Sequence, residues 1–418
     1  MINITDKLKA SILKYRQRKL VSRIKSQEKL NIVFIVYLTS MWKYEALFDL
    51  LLDDLFFNPL ILIAPFKDGS AEREVEEARK FKQYCIEKKY PCVCHAEELA
   101  SGRSSFFEAL SPDIVFFSTP WDYSKGLYYK NIYKKYLTCY QSYGIFTGSL
   151  NSYFKFHKKF HQNIWKIFST NAYENNMYIE NTNKYIKNIT LTGAIYLDIL
   201  YKPQFIRRNP WNDREKRRKI IFAPHYTIDS KAMDGFHLSR FLEIHDYMRR
   251  IAVEFKDNIA WAFKPHPHLK EKLYKHPNWG KVKTDDYYNF WQSNEFSILS
   301  EGDYVSLFHY SDAMIHDCAS FIAEYLIVKK PSLYLINAET HKNLNEFGRK
   351  ALSAHYIAEN NYEIRIFIEA LIKDSLGIKK EHEDFFVENF QSLHYEKSPA
   401  EKIKEAICLN FESVRRIG

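Results

Sequence analysis

The sequence predicts an α/β protein with parallel sheets in two domains, and three observations carry that expectation. Apolar runs of strand length alternate with segments of helical length along most of the chain, the pattern of βαβ units. A polar stretch at 201–218, with Pro203, Pro210 and many charges, divides that pattern in two. In the second half, three strand ends carry the residue types that face ligands in open α/β sheets: Pro224-His225-Tyr226-Thr227, Lys264-Pro265-His266-Pro267-His268 and His316-Asp317-Cys318-Ala319-Ser320. A length of 418 residues suits two domains.

In chain order, residues 1–30 read as a basic helix. Ile4, Leu8, Ile12 and Tyr15 form one apolar stripe, and Leu13, Leu20 and Ile24 form a second, rotated around the axis. Nine Lys or Arg against Asp6 and Glu28 give this segment most of the chain's net +10. Such a helix suits an anionic lipid surface; the alternative is a solvated helix packed on its own domain. The first domain follows at 31–200. Strands are expected at 32–37, 59–64, 91–95, 113–118, 137–143 and 188–192, with helices at 44–55 and 71–89. Connections are expected to be right-handed crossovers. Residues 201–218 are the linker, and 219–418 the second domain. There the strand 219–223 leads to a helix at 238–255. The strand 259–263 runs into a Lys-Pro-His-Pro-His sequence that two prolines hold extended. Residues 274–296, rich in Tyr and Trp, carry no clear period, and 361–375 and 384–409 read as helices.

The stretch 311–335 organises this second domain. It reads as a short strand at 312–315, a turn, a helix over 321–328 with Lys329-Lys330 at its C-terminal end, and a strand after Pro331. Asp317 or Ser320 is the expected N-cap. The N–H groups at Cys318, Ala319 and Ser320 would then face the strand ends, where a phosphate is favoured. Glu324, one turn on, is placed to accept from ribose hydroxyls. With Lys264, His266, His268 and His225 at neighbouring strand ends, the set resembles a diphosphate site; the alternative is an ordinary capped βαβ crossover.

The motifs APHYTID (223–229), FKPHPHLK (263–270) and SDAMIHDCASFIAEYL (311–326) resemble those of the CDP-glycerol glycerophosphotransferase family, whose members build teichoic acids and phosphate-containing capsule or lipopolysaccharide chains. The resemblance implies a GT-B fold: two Rossmann-like domains with parallel sheets, the first for acceptor and the second for nucleotide donor, in which a C-terminal helix often crosses back to the first domain. It implies transfer of an alditol phosphate from a CDP-alditol to a hydroxyl of a lipid-linked or polysaccharide acceptor, with CMP leaving. His266 and His225 become the catalytic candidates, His225 as either a phosphate ligand or the general base. Lys264, His268, Asp317, Cys318, Ala319, Ser320 and Glu324 become the donor-binding candidates. No cofactor is implied. One departure stands out. The TWHGT histidine motif of the family's polymerases is missing, and the corresponding region is Cys139-Tyr140-Gln141-Ser142-Tyr143-Gly144. A GT-B glycosyltransferase using a nucleotide sugar is the competing expectation, and a non-catalytic scaffold of an assembly complex is a further one.

Composition excludes several classes. Aromatics make up 16% of the chain while Gly numbers only 12, which argues against disorder and Gly-rich phosphate loops. Outside residues 1–30 the chain is only mildly basic and carries no nucleic-acid-binding signature. Six scattered cysteines do not form a disulfide framework. Cys92, Cys94 and His95 are not a zinc set, because Cys94 and His95 are adjacent on a probable strand and point to opposite faces. The first thirty residues lack the apolar core of a secretory signal, and no run of 18 apolar residues occurs. The expected location is cytoplasmic, peripheral on the inner face of the plasma membrane.

Overall fold

The computed structural model describes residues 4–25, 27–65, 71–95, 106–121, 129–149, 158–182, 188–201, 206, 209–211, 217–229, 237–302 and 304–411. Most of the 201–218 linker lies outside them. The chain forms two compact units. One comprises Met1–Gly144, Asn151–Asp198 and Leu393–Gly418; the other comprises Ile145–Leu150 and Ile199–Ser392.

The first unit holds a parallel sheet of seven strands: β1 (Leu30–Val36), β2 (Phe57–Ile63), β3 (Cys92–Cys94), β4 (Ile114–Phe117), β5 (Leu137–Gln141), β6 (Lys166–Ser169) and β7 (Ile189–Leu191). Their spatial order is β3-β2-β1-β4-β5-β6-β7. The central strands are buried on both faces, which is why they read as unbroken apolar runs. Phe34 of β1 stacks on Phe116 of β4 with centroids 4.7 Å apart. Trp42, Tyr44 and Phe48 close around Phe34. Helix α1 (Ile4–Ile24) joins this unit. Ile24 is in the core and Leu20 and Val21 pack against it, whereas Leu8, Ile12 and Tyr15 are exposed.

The second unit holds a parallel sheet of six strands: β8 (Arg218–Ala223), β9 (Ile259–Phe263), β10 (Ser297–Leu299), β11 (Ala313–His316), β12 (Ser332–Leu335) and β13 (Tyr356–Ala358). The order is β10-β9-β8-β11-β12-β13. Alternation assigns each side chain to a face. Ile220, Phe222, Trp261, Phe263, Ala313 and Ile315 face one core. Ile221, Ala223, Ala260, Ala262 and Met314 face the other. Strand order reverses between β8 and β11, so the crevice at their C-terminal ends is a topological switch point.

Four expectations change. Strands β6, β10 and β13 are additional; each is only three or four residues long, too short to show a period. The region 274–296 is mostly the helix Gly280–Ser293, whose Tyr287, Tyr288 and Trp291 are core residues. The helix expected over 384–409 is broken into Lys380–Phe386, a wider turn at Val387–Gln391, Ser392–His394 and Pro399–Cys408, because Pro399 cannot continue a helix and instead opens one behind the Ser398 cap. The second unit ends at Ser392, and that last helix belongs to the first unit, as a returning GT-B helix does. Its Ala400, Ile403, Ile407 and Cys408 lie in the same core as Leu30 and Phe48. Asp198 anchors it, accepting from Ala400 N–H at 3.2 Å and pairing with His394 Nε2 at 3.0 Å.

Candidate active site

Two sequence-distant motifs meet at the β8 and β9 ends. Pairing continues past the strands, with Lys264 N–H donating to Phe222 O at 2.8 Å and His266 N–H to Pro224 O at 3.0 Å. Ring centroids are then 5.1 Å apart for His225 and His266, 4.3 Å for Tyr226 and His266, and 5.4 Å for His266 and His268. Three imidazoles and a phenol therefore form one cluster.

Their protonation follows from the local bonds. The His268 N–H donates to His266 Nδ1 at 3.2 Å, so the neutral His266 ring carries its proton on Nε2. Burial, then the neighbouring His225, His268 and Lys264, holds His266 well below the usual imidazole range. His225 Nδ1 lies 2.8 Å from Thr227 Oγ1, which already accepts from Leu238 N–H at 3.1 Å. A Thr227 proton donated to Nδ1 would leave His225 with its own proton on Nε2. Burial pushes its pKa down to about 3. Both rings are neutral at physiological pH and suited to donating hydrogen bonds to anionic oxygens.

The β11 end supplies the frame. Asp317 is fully buried, and its carboxylate accepts from His225 N–H at 2.5 Å, Arg240 N–H at 2.8 Å and Ser239 Oγ at 3.1 Å. Burial pushes its pKa up to about 7 against the pull of those bonds. Its oxygens are occupied by protein donors, and it ties β8, β11 and the 239–240 turn together. The Cys318 side chain is tied to the same frame. Its thiol donates to Ala223 O at 3.2 Å, and burial raises its pKa well above the ordinary value.

The helix after the turn is shorter than expected: α-helical over Phe321–Glu324 and 3₁₀ over Tyr325–Val328, ending at the left-handed Lys329. Ser320 has helical dihedrals and makes no side-chain cap bond, so neither expected N-cap residue caps it. A single α turn has little macrodipole. Glu324 is buried on that turn. Lys264 is also buried, and its amine donates to Gly302 O at 2.9 Å. It thus braces the turn before Val305 in addition to supplying positive charge.

Ser239 and Arg240 escaped the sequence reading, and Tyr226 and Thr227 were legible only as members of the strand end that carries His225. Behind the site, His355 donates Nε2–H to Ile322 O at 2.7 Å and accepts at Nδ1 from Ser332 Oγ at 2.7 Å. In the first unit, Gln141 stands where the family's histidine motif is missing. Its amide donates to Gly193 O at 2.9 Å and accepts from Ile195 N–H at 2.9 Å, so it is committed to structure. Among the described residues, no group of three or more His, Cys, Asp or Glu side chains could hold a metal ion.

Two doubly wound parallel sheets in successive units, with donors gathered at the switch point of the second, define a GT-B-like fold. Residues 149–343 match the model of the family described as CDP-Glycerol:Poly(glycerophosphate) glycerophosphotransferase, which makes this a glycerophosphotransferase-like enzyme. The matched segment contains every candidate residue named above in the second unit. Solved structures agree on the fold. A wall teichoic acid polymerase, TagF, aligns with TM-score 0.59 at 12% identity, covering 99% of this chain and 97% of that one. A putative UDP-N-acetylglucosamine 2-epimerase from Listeria monocytogenes aligns with TM-score 0.60 at 14% identity, covering 93% and 98%. A TagF structure soaked with CDPG gives TM-score 0.55 at 13% identity, covering 98% and 97%. No curated protein matches the sequence.

Proposed function

We propose that the protein moves an alditol phosphate, glycerol phosphate foremost, from a CDP-activated donor to a hydroxyl of a lipid-linked or polysaccharide acceptor in bacterial cell-surface polymer synthesis. The supporting observation is the cluster of His225, His266 and His268 beside Lys264 at the switch point, inside the family-matched segment. The second unit takes the donor and the first the acceptor. The acceptor hydroxyl oxygen bonds to the β-phosphorus and gives up its proton to solvent, the bond from that phosphorus to the bridging oxygen breaks, and CMP leaves with that oxygen. Negative charge grows on the leaving diphosphate oxygens. His225 and His266 Nε2–H, the peptide N–H groups of 318–320 and the Lys264 charge stabilise it. Glu324 serves the ribose. His225 is taken as a phosphate ligand rather than the base, since burial disfavours its charged form.

Helix α1 attaches the protein to the inner face of the membrane. The support is the exposed Leu8, Ile12 and Tyr15 on an otherwise strongly basic helix, with Lys19 continuing their row, a composition suited to an anionic interface. Among the described residues, no helix is long and apolar enough to cross a membrane.

The decisive experiment compares CDP-glycerol and CDP-ribitol with UDP- and GDP-sugars, reading thermal stabilisation and nucleotide release for wild type and His266→Ala. CMP release from a CDP-alditol, lowered at least about a hundredfold in the well-folded variant, is expected. Turnover of a nucleotide sugar instead, or equal behaviour of the two proteins, would overturn the assignment.

A further inference from the structure

Unit two includes a short piece of chain from far upstream, and that piece touches the donor turn. Segment 145–149 leaves β5 and packs on the helix Glu346–Ser353. Asn345 caps that helix, its side chain accepting from Gly348 N–H. The same side chain donates to Phe146 O at 2.9 Å and Gly148 O at 3.1 Å, while Asn345 N–H donates to Thr147 O at 2.9 Å. Gly348 permits this approach, since a Cβ there would lie 2.2 Å from Thr147 O. Held in this way, buried Thr147 donates its hydroxyl to Ala319 O at 2.6 Å, across 172 residues of sequence.

That bond fixes more than a carbonyl. In a trans peptide the C=O and the following N–H point in opposite directions. Holding Ala319 O toward Thr147 therefore turns the Ser320 N–H the other way, and among the described residues no acceptor is found for it. We infer that Thr147 is a positioning residue for donor binding: through Ala319 O it sets the peptide plane whose Ser320 N–H meets the donor diphosphate, with Asn345 and Gly348 holding Thr147 in place. The inference rests on the donor-site reading above and adds to it a residue that lies outside all three motifs. It also explains why a four-residue helix suffices: the orientation of one peptide, rather than a helix field, supplies the directed donor.

The test uses the full chain and two probes, CDP-glycerol and cytidine. Thr147→Val keeps the shape and removes the hydroxyl. Its affinity for CDP-glycerol should fall about tenfold, the scale of one lost hydrogen bond to an ionised group, while cytidine affinity stays unchanged. Thr147→Ser should restore CDP-glycerol affinity to within about threefold. Should Thr147→Val not fold, Asn345→Asp retains the helix cap, loses both amide donations and should show the same selective loss. Parallel loss of both ligands, or unchanged CDP-glycerol affinity, would overturn the role of Thr147. Failure of wild type to bind any CDP-alditol would instead overturn the donor-site reading.

Discussion

The Asp317 carboxylate accepts the backbone N–H of His225 at 2.5 Å, joining two strand ends that are 92 residues apart in the chain. Its second oxygen takes Arg240 N–H and Ser239 Oγ. One buried acceptor thus aligns β8, β11 and the start of the helix Phe241–Glu254. Asn at this position would turn an N–H₂ toward N–H donors and leave at least one of them buried without an acceptor. Asp317→Asn is expected to cost about 3 kcal/mol and to lower the melting temperature by roughly 5–10 °C. A thermal scan within about 2 °C of wild type would show that the frame does not depend on it.

His225 separates ligand from base. As a phosphate ligand it contributes in the ground state, so His225→Ala should weaken donor affinity as well as slow the single-turnover rate, each by about tenfold or more. The decisive result against this role is intact affinity with a collapsed rate, measured on one preparation.

Acid should unfold the second unit early. Burial holds His225 and His355 at about 3 in the folded state, against about 6.5 when unfolded. Between those values the unfolded chain binds more protons, so stability is complete above about pH 6.5 and falls as pH drops, by about 1.4 kcal/mol per unit for each ring. Asp317 has the opposite sign: its pKa of about 7 lies above the unfolded value, so it favours the fold on acidification and offsets roughly one of the two histidines. His266 and His316, also held well below the usual imidazole range by burial, add to the loss, so urea unfolding should show clearly lower stability at pH 5 than at pH 6.5. His355→Gln should reduce that difference; an unaltered slope would exclude His355 as a source.

Attachment through α1 should depend on one face only. Removing residues 1–25 would also strip Leu20, Val21 and Ile24 from the core, so the informative variant is Leu8→Ser with Ile12→Ser and Tyr15→Ser. Binding to vesicles containing phosphatidylserine should drop at least about tenfold, given the apolar area lost, with unchanged melting temperature. Undiminished sedimentation with those vesicles would place the attachment elsewhere.

The parallel sheets were legible because buried strands such as 32–36 and 259–263 are continuous apolar runs, and the His-bearing strand ends were legible because prolines mark them. What escaped was whatever depends on partners far along the chain. Nothing near Asp317 in sequence reveals that its acceptors are filled by His225, Ser239 and Arg240. Nothing near Thr147 points to Ala319. Strand β6 hides in Trp165-Lys166-Ile167-Phe168, where a single lysine interrupts the apolar run. The apolar residues of α1 showed two stripes, and only tertiary packing decides which is buried.

The return of Pro399–Cys408 to the first unit has a consequence for synthesis. A ribosome releases the strands of that unit first, yet Ile403, Ile407 and Phe411, which complete its core, are made last. Until then the surface around Leu47, Leu51 and Ile24 has no cover, and the early sheet must wait as an open, chaperone-seeking intermediate. The contiguous stretch from Ile199 to Ser392 is under no such delay. The second half of the chain can mature before the first, and a nascent protein acquires its donor-site architecture before its amino-terminal unit is sealed.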